Sequence, residues 1–100
     1  GSDISKSMAA TSGWRTDPTP GNVGNDQGSN NSSGFTALPG GSRWPNGNFV
    51  YIGDDGYWWC YSVSPLVATR FMNFYSDSVS RSSGSVPAGG TGSSIRCIKD

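Results

Sequence analysis

Ten of the twelve aromatic residues of this chain lie between Trp44 and Tyr75, in a polypeptide that also holds fifteen glycines and eighteen serines. A Ser/Gly-rich composition alone lacks the apolar area that must offset chain entropy. Aromatic mass concentrated in one stretch supplies that area locally, so folding must be organised there, with Ser and Gly left to loops. The 100 residues make a single small domain, and a chain of this size buries roughly 60–65% of the surface its unfolded form exposes.

From Phe35 onward the pattern is β. Short apolar runs are separated by Pro39-Gly40-Gly41, Pro45-Asn46-Gly47, Asp54-Asp55-Gly56 and Ser76-Asp77-Ser78, all of which are turn signals. The expected strands are Phe49–Ile52, Tyr57–Val63, Ala68–Tyr75, Ser78–Arg81 and Ser94–Ile98. In the second, Tyr57, Trp59, Tyr61 and Val63 share one face and Trp58, Cys60 and Ser62 the other. Both faces are partly apolar, so this strand is expected to be central. Neighbouring tryptophans then face opposite sides. At least one belongs to the core, and the other is either core or an aromatic floor for a ligand.

Before the β region, Asp3 can cap a short helix over Ile4–Thr11, with Ile4 and Met8 on one face. Ser12–Gly13 would stop it, and Trp14 would cover its end. Residues 15–33 carry Asp17-Pro18, Thr19-Pro20-Gly21 and Gly24-Asn25 and read as one long irregular loop. Loops of that length are usually functional or mobile. Residues 82–93 form a second one, and no internal repeat is evident. Gly1–Ser2 reads as an expression-tag remnant, leaving 3–100 as the domain.

Catalytic chemistry has little to work with. The chain has no histidine and no glutamate. Cys60 and Cys97 offer two ligands, too few to complete a tetrahedral metal site. Cys60 has no credible base for nucleophilic catalysis, and Asp54 and Asp55 sit where turn geometry is the ordinary role of aspartate. The stretch 88–92 lacks the Lys-Ser/Thr of a phosphate loop. The expectation is a chain that is not an enzyme and needs no cofactor or metal. A net charge of zero gives no footprint for nucleic acid. No apolar run approaches the ~20 residues that span a bilayer. A Cys60–Cys97 disulfide would close a long loop and could stabilise by up to ~4 kcal/mol; two unpaired thiols, with Cys97 as a small buried hydrophobe, is the other reading.

Several motifs occur together and in order: SMAATSGW (Ser7–Trp14), NSSGFTALPGG (Asn31–Gly41), GNFVYIGDDGYWW (Gly47–Trp59), RFMNF (Arg70–Phe74), SVSR (Ser78–Arg81) and SIRCIKD (Ser94–Asp100). In these the chain resembles the Fibrobacter succinogenes major paralogous domain, found in Bacteroidetes, related bacteria and their phages. The resemblance implies an α+β, C-type-lectin-like fold: a short N-terminal helix packed on a mostly antiparallel twisted sheet, with long irregular loops. Full-length members are longer, so residues 3–100 would be the C-terminal portion or a compact version.

The departures are informative. Members commonly continue GYWW with SSTE, whereas this chain reads Cys60-Tyr61-Ser62-Val63. Asn-rich positions are replaced by Leu66, Val67, Thr69, Phe71, Tyr75, Ser76, Asp77, Ser80, Ser82 and Ser83, and Ser93 replaces a Phe. Some lectin-like domains of this type are variable proteins of diversity-generating retroelements, in which template adenines are randomised so that Asn codons become Ser, Asp, Tyr, Thr, Val or Phe codons. Cys60, Val63, Asp54, Asp55, Tyr75, Ser76, Asp77 and Ser80 fit that spectrum; ordinary surface divergence is the alternative.

The resulting expectation is a non-enzymatic display domain on a phage or bacterial exterior that binds a protein or glycan receptor on another cell surface. Its expected ligand-binding residues are Trp44, Tyr51, Tyr61, Val63, Leu66, Thr69, Phe71, Asn73, Tyr75, Asp77 and Ser80. The expected core is Phe35, Leu38, Phe49, Ile52, Trp58, Trp59, Met72, Val79, Ile95 and Cys97. The alternatives are an exported surface module with a fixed glycan or protein partner, and a structural spacer. Calcium-dependent sugar binding is not expected, because the EPN and WND signatures of sugar-binding C-type lectins are absent.

Overall fold

The computed structural model describes residues 4–60, 68–83 and 91–97. One short helix, α1 (Ile4–Met8), precedes two antiparallel sheets. The smaller pairs β1 (Ser42–Arg43) with β2 (Phe49–Val50). The larger has the order β3 (Asp55–Cys60), β4 (Ala68–Asn73), β5 (Ser80–Ser83). The chain is therefore a small α+β domain.

The helix is shorter than its apolar pattern predicts because the backbone after Met8 is claimed by another segment. Ala9 bridges Ala37 in parallel; Ala37 N–H donates to Met8 O and Ala10 N–H to Ala37 O, both at 2.8 Å. Two alanines permit this close approach, and both are buried.

Residues 14–34 contain one short 3-10 turn at Gln27–Ser29 and are otherwise irregular, as their turn signals predict. Side chains hold this loop where a backbone ladder is lacking. Gln27 donates to Trp14 O at 2.8 Å and accepts from Trp14 N–H at 3.1 Å. Buried Asn30 donates from Nδ2 to Ala10 O (3.0 Å) and Val23 O (3.1 Å). Its Oδ1 accepts from Lys6 Nζ at 2.8 Å, and the same ammonium donates to the carbonyls of Asn25 and Asp26. Val23 and Gly24 donate to Ser76 O and Phe74 O, fastening the loop to the end of β4.

The loop consequently supplies core. Ala9, Trp14, Val23, Ala37 and Met72 form the buried cluster, with Met8, Phe35, Trp58, Phe74 and Val79 packed against it. Four of these, Phe35, Trp58, Met72 and Val79, are expected from the sequence. Five other expectations are corrected. Leu38 is 62% exposed, because it lies between buried Ala37 and buried Pro39 and alternation turns it outward. Phe49 and Ile52 are each 67% exposed: the first sits on a two-residue strand and the second in the turn before β3, and neither is covered by a second layer. Ile95 (76% exposed) and Cys97 are on the surface, since among the described residues of their segment only Ser94 pairs with β3. Cys60 and Cys97 are not disulfide-bonded to each other.

The strands also differ in extent. Of the expected Ser94–Ile98 strand, Ile98 lies outside the described residues, and among residues 94–97 Ser94 makes a parallel bridge to Trp58; Gly92 bridges Arg43. Phe49–Ile52 shortens to two residues because the chain turns at Tyr51. The Ser78–Arg81 strand shifts to Ser80–Ser83, in register with Ala68–Phe71. The central strand of the larger sheet is β4, not β3. The outer edge of β3 is nevertheless satisfied: Gly41 N–H donates to Asp55 O, Ser94 N–H to Tyr57 O, and Trp59 N–H to Ser94 O. Its apolar character on both faces is the consequence.

Candidate functional site

Strand periodicity separates the two faces of the larger sheet. The register Asp55↔Asn73, Tyr57↔Phe71, Trp59↔Thr69 and Phe71↔Ser80 places these residues on one face. Gly56, Trp58, Arg70 and Met72 lie on the other. Trp58 goes to the core, where Phe35 meets it edge-on at 6.5 Å. Trp59, on the opposite face, is half-buried and does not belong to the core cluster, against the expectation from the sequence.

The middle of that face is a stacked pair, Tyr57 and Phe71, with ring centroids 5.6 Å apart and planes at 24°. Beneath it Asp55 is only 7% exposed. Its carboxylate accepts from Tyr57 Oη (2.9 Å) and Asn73 Nδ2 (2.6 Å), so the buried charge is satisfied by two neutral donors. The network fixes the Tyr57 ring and the Asn73 amide in place.

Two further tyrosines lie in turns, Tyr51 after β2 and Tyr75 after β4, near enough for their charges to be felt at the Tyr57 phenol. Tyr57's phenol is held well above its usual range, first by burial, then by its hydrogen bond and charge repulsion with Asp55, and finally by the charges Tyr51 and Tyr75 would carry. Trp44 extends the patch by meeting Tyr51 edge-on at 6.4 Å. Tyr75 packs edge-on against Phe74 at 5.0 Å; Phe74 in turn lies under the Arg15 guanidinium, 5.1 Å from its ring centroid. Arg15 pairs with Asp54 at 2.9 Å, so Asp54 has an ion-pair role in addition to its place in the turn. Trp44, Tyr51 and Tyr75 are 44%, 48% and 57% exposed, which leaves large aromatic area available at low side-chain entropy.

The raised Tyr57 phenol has a consequence at alkaline pH. The unfolded chain releases this proton near the ordinary phenol value of about 10, while the folded chain retains it. Above pH ~10 the unfolded state binds fewer protons, so stability falls as pH rises. Urea unfolding followed across this range is expected to show the fall, with a shallower slope in Tyr57→Phe. An identical slope in both proteins would contradict the assignment.

Of the residues expected to bind a ligand, Thr69, Phe71, Asn73 and Ser80 share this face, while Trp44, Tyr51 and Tyr75 are exposed on the segments flanking the strands. Asp77 is exposed in the turn before β5, its backbone carbonyl accepting from Ser5 N–H. Tyr61, Val63 and Leu66 lie outside the described residues. Sequence reasoning missed Asp55, Tyr57 and Trp59 as members of the surface. Parity carried the signal for the two aromatics, since Tyr57 and Trp59 alternate with Trp58. Among the described residues no group of three or more His, Cys, Asp or Glu side chains gathers as a metal site would, and no helix is long and apolar enough to cross a membrane.

Compared with family models, curated proteins and solved structures, the chain matches none.

Proposed function

We propose that this chain is a non-enzymatic display domain of the C-type-lectin-like class, presenting a diversified surface on a phage or bacterial exterior for recognition of a receptor. The observation that carries this reading is the stacked Tyr57–Phe71 pair in the middle of one sheet face, with exposed Tyr51 and Tyr75 in two separate turns within electrostatic reach of Tyr57. Four of the residues expected to bind a ligand, Thr69, Phe71, Asn73 and Ser80, lie on that face. Aromatic, amide and hydroxyl groups dominate it, the mixture that serves adaptable recognition.

The backbone at Tyr51 supports diversification in particular. Its φ is 61°, in the left-handed region where a bulky residue is an outlier and asparagine is tolerated.

Tyr51→Asn is therefore expected to preserve or raise the melting temperature while weakening receptor binding, because relief of roughly 1 kcal/mol of backbone strain offsets the lost edge contact with Trp44. Tyr75→Ser should likewise leave the melting temperature within a few degrees. Thermal melts, paired with binding to a panel of bacterial cells and glycans, test both. A collapse in stability on either substitution would overturn the division into scaffold and display surface. The gene neighbourhood tests diversification directly: a near-copy of the 3′ coding region differing at adenines, beside a reverse transcriptase gene, is the expected finding. A neighbourhood without that copy, together with binding that survives Tyr75→Ser but not Trp59→Ala in a folded variant, would favour a fixed partner.

A further inference from the structure

The sheet's opposite face holds a second opening. The five-residue α1 is too short to cover this face, and a cleft of about 400 Å³ remains beside it. Met8, Phe35, Trp58 and Val79 wall it, with Met72 at its base. This volume is in the range of small-ligand sites, which are typically apolar with a few placed polar groups. Here those groups are two arginines. Arg70 projects from β4 on the cleft side, and Arg96 lies with its guanidinium 4.7 Å from the centroid of the Phe35 ring. None of the described lining residues is acidic, and neither arginine has an ion pair among the described residues. The Arg15–Asp54 pair is elsewhere.

An apolar interior bordered by two such cations is complementary to one kind of molecule: an apolar body ending in a single negative charge. We propose that this cleft binds a free medium-chain carboxylic acid, the alkyl chain between α1 and the sheet and the carboxylate at Arg70 and Arg96. Guanidinium is suited to that end because its planar donors match a carboxylate bidentately. The Phe35 ring positions Arg96 through a cation–π contact while leaving its N–H edges open to a ligand. Trp59, which strand parity places on the aromatic face, also lines the cleft; failure of this site to bind an acid would still leave the receptor reading untouched.

The test uses decanoate below its micellar concentration, with decanol as the uncharged analogue and butyrate as the short acid. Titration into isotope-labelled protein is followed by NMR. The expected result is saturable shifts at Met8, Phe35 and Val79, with decanoate bound about tenfold more tightly than decanol or butyrate. Arg70→Met and Arg96→Met, both at exposed positions, should each weaken decanoate about tenfold and leave decanol unchanged. Val79→Trp should fill the cleft and abolish both. Equal affinity for decanoate and decanol, or shifts confined to the display face, would overturn the proposal. So would a dimer in sedimentation equilibrium whose interface protects these same residues, since the cleft would then be occupied by a second copy.

Discussion

Gly41→Ala is expected to lower stability by roughly 3 kcal/mol, the sum of two separate penalties. Gly41 has φ 64°, a left-handed conformation that costs an L-residue about 1–2 kcal/mol. An added Cβ would also lie 2.1 Å from Val50 O, 2.9 Å from Ile52 N and 3.0 Å from the Tyr51 carbonyl carbon. All three are backbone atoms that no rotamer change can move. This is the point where the turn carrying Tyr51 crosses the segment entering β1, and where Gly41 N–H closes the edge of β3 at Asp55 O. Gly21 provides the control, with φ 91° and no neighbouring atom within 4 Å of where its Cβ would sit. Gly21→Ala should show only the conformational penalty. Urea midpoints with unchanged m-values would measure the difference; equal losses in the two variants would mean that the crossing relaxes freely.

The second large effect is expected at Asn30, in the stretch that looks least structured. Asn30→Ala should cost roughly 2–4 kcal/mol, since removing one partner leaves buried groups unsatisfied at about 1–3 kcal/mol each. The carbonyls of Ala10 and Val23 lose their donor, and Lys6 loses a neutral acceptor. Asn30→Asp keeps the shape and attracts Lys6 but, when ionised, cannot donate to either carbonyl, so it should not restore stability. Thermal melts with near-ultraviolet circular dichroism of Trp14 would report both the loss and the loosening of the loop. A change below ~1 kcal/mol in Asn30→Ala would show that water replaces the amide and that the loop is held elsewhere.

These two positions show where local sequence rules are strong and where they stop. The strands around Tyr57–Trp59 and Arg70–Asn73 are legible because alternation and turn residues operate over a few residues. The same parity sets Tyr57 on the surface face, although its motif looks like scaffold. Asp55 has the sequence context of a turn residue, and nothing near it reveals that Asn73, eighteen positions on, donates to its carboxylate. Leu38, Phe49, Ile52 and Ile95 satisfy hydrophobicity but not geometry: burial needs a second layer, and these sites have none.

By itself, the sequence determined that the domain is built on short strands, that Trp58 and Trp59 part to opposite faces, and that residues 15–33 form a long irregular loop. Those properties follow from side-chain period and backbone preference, which each residue carries wherever it is placed. Tertiary structure alone decided that the polar loop contributes Val23 and Trp14 to the core, that Ala9 and Ala37 meet, and that Asn73 closes on the Asp55 carboxylate. Each of these depends on segments distant in sequence satisfying one another's backbone groups and apolar surface, and such pairings exist only once the chain has closed on itself.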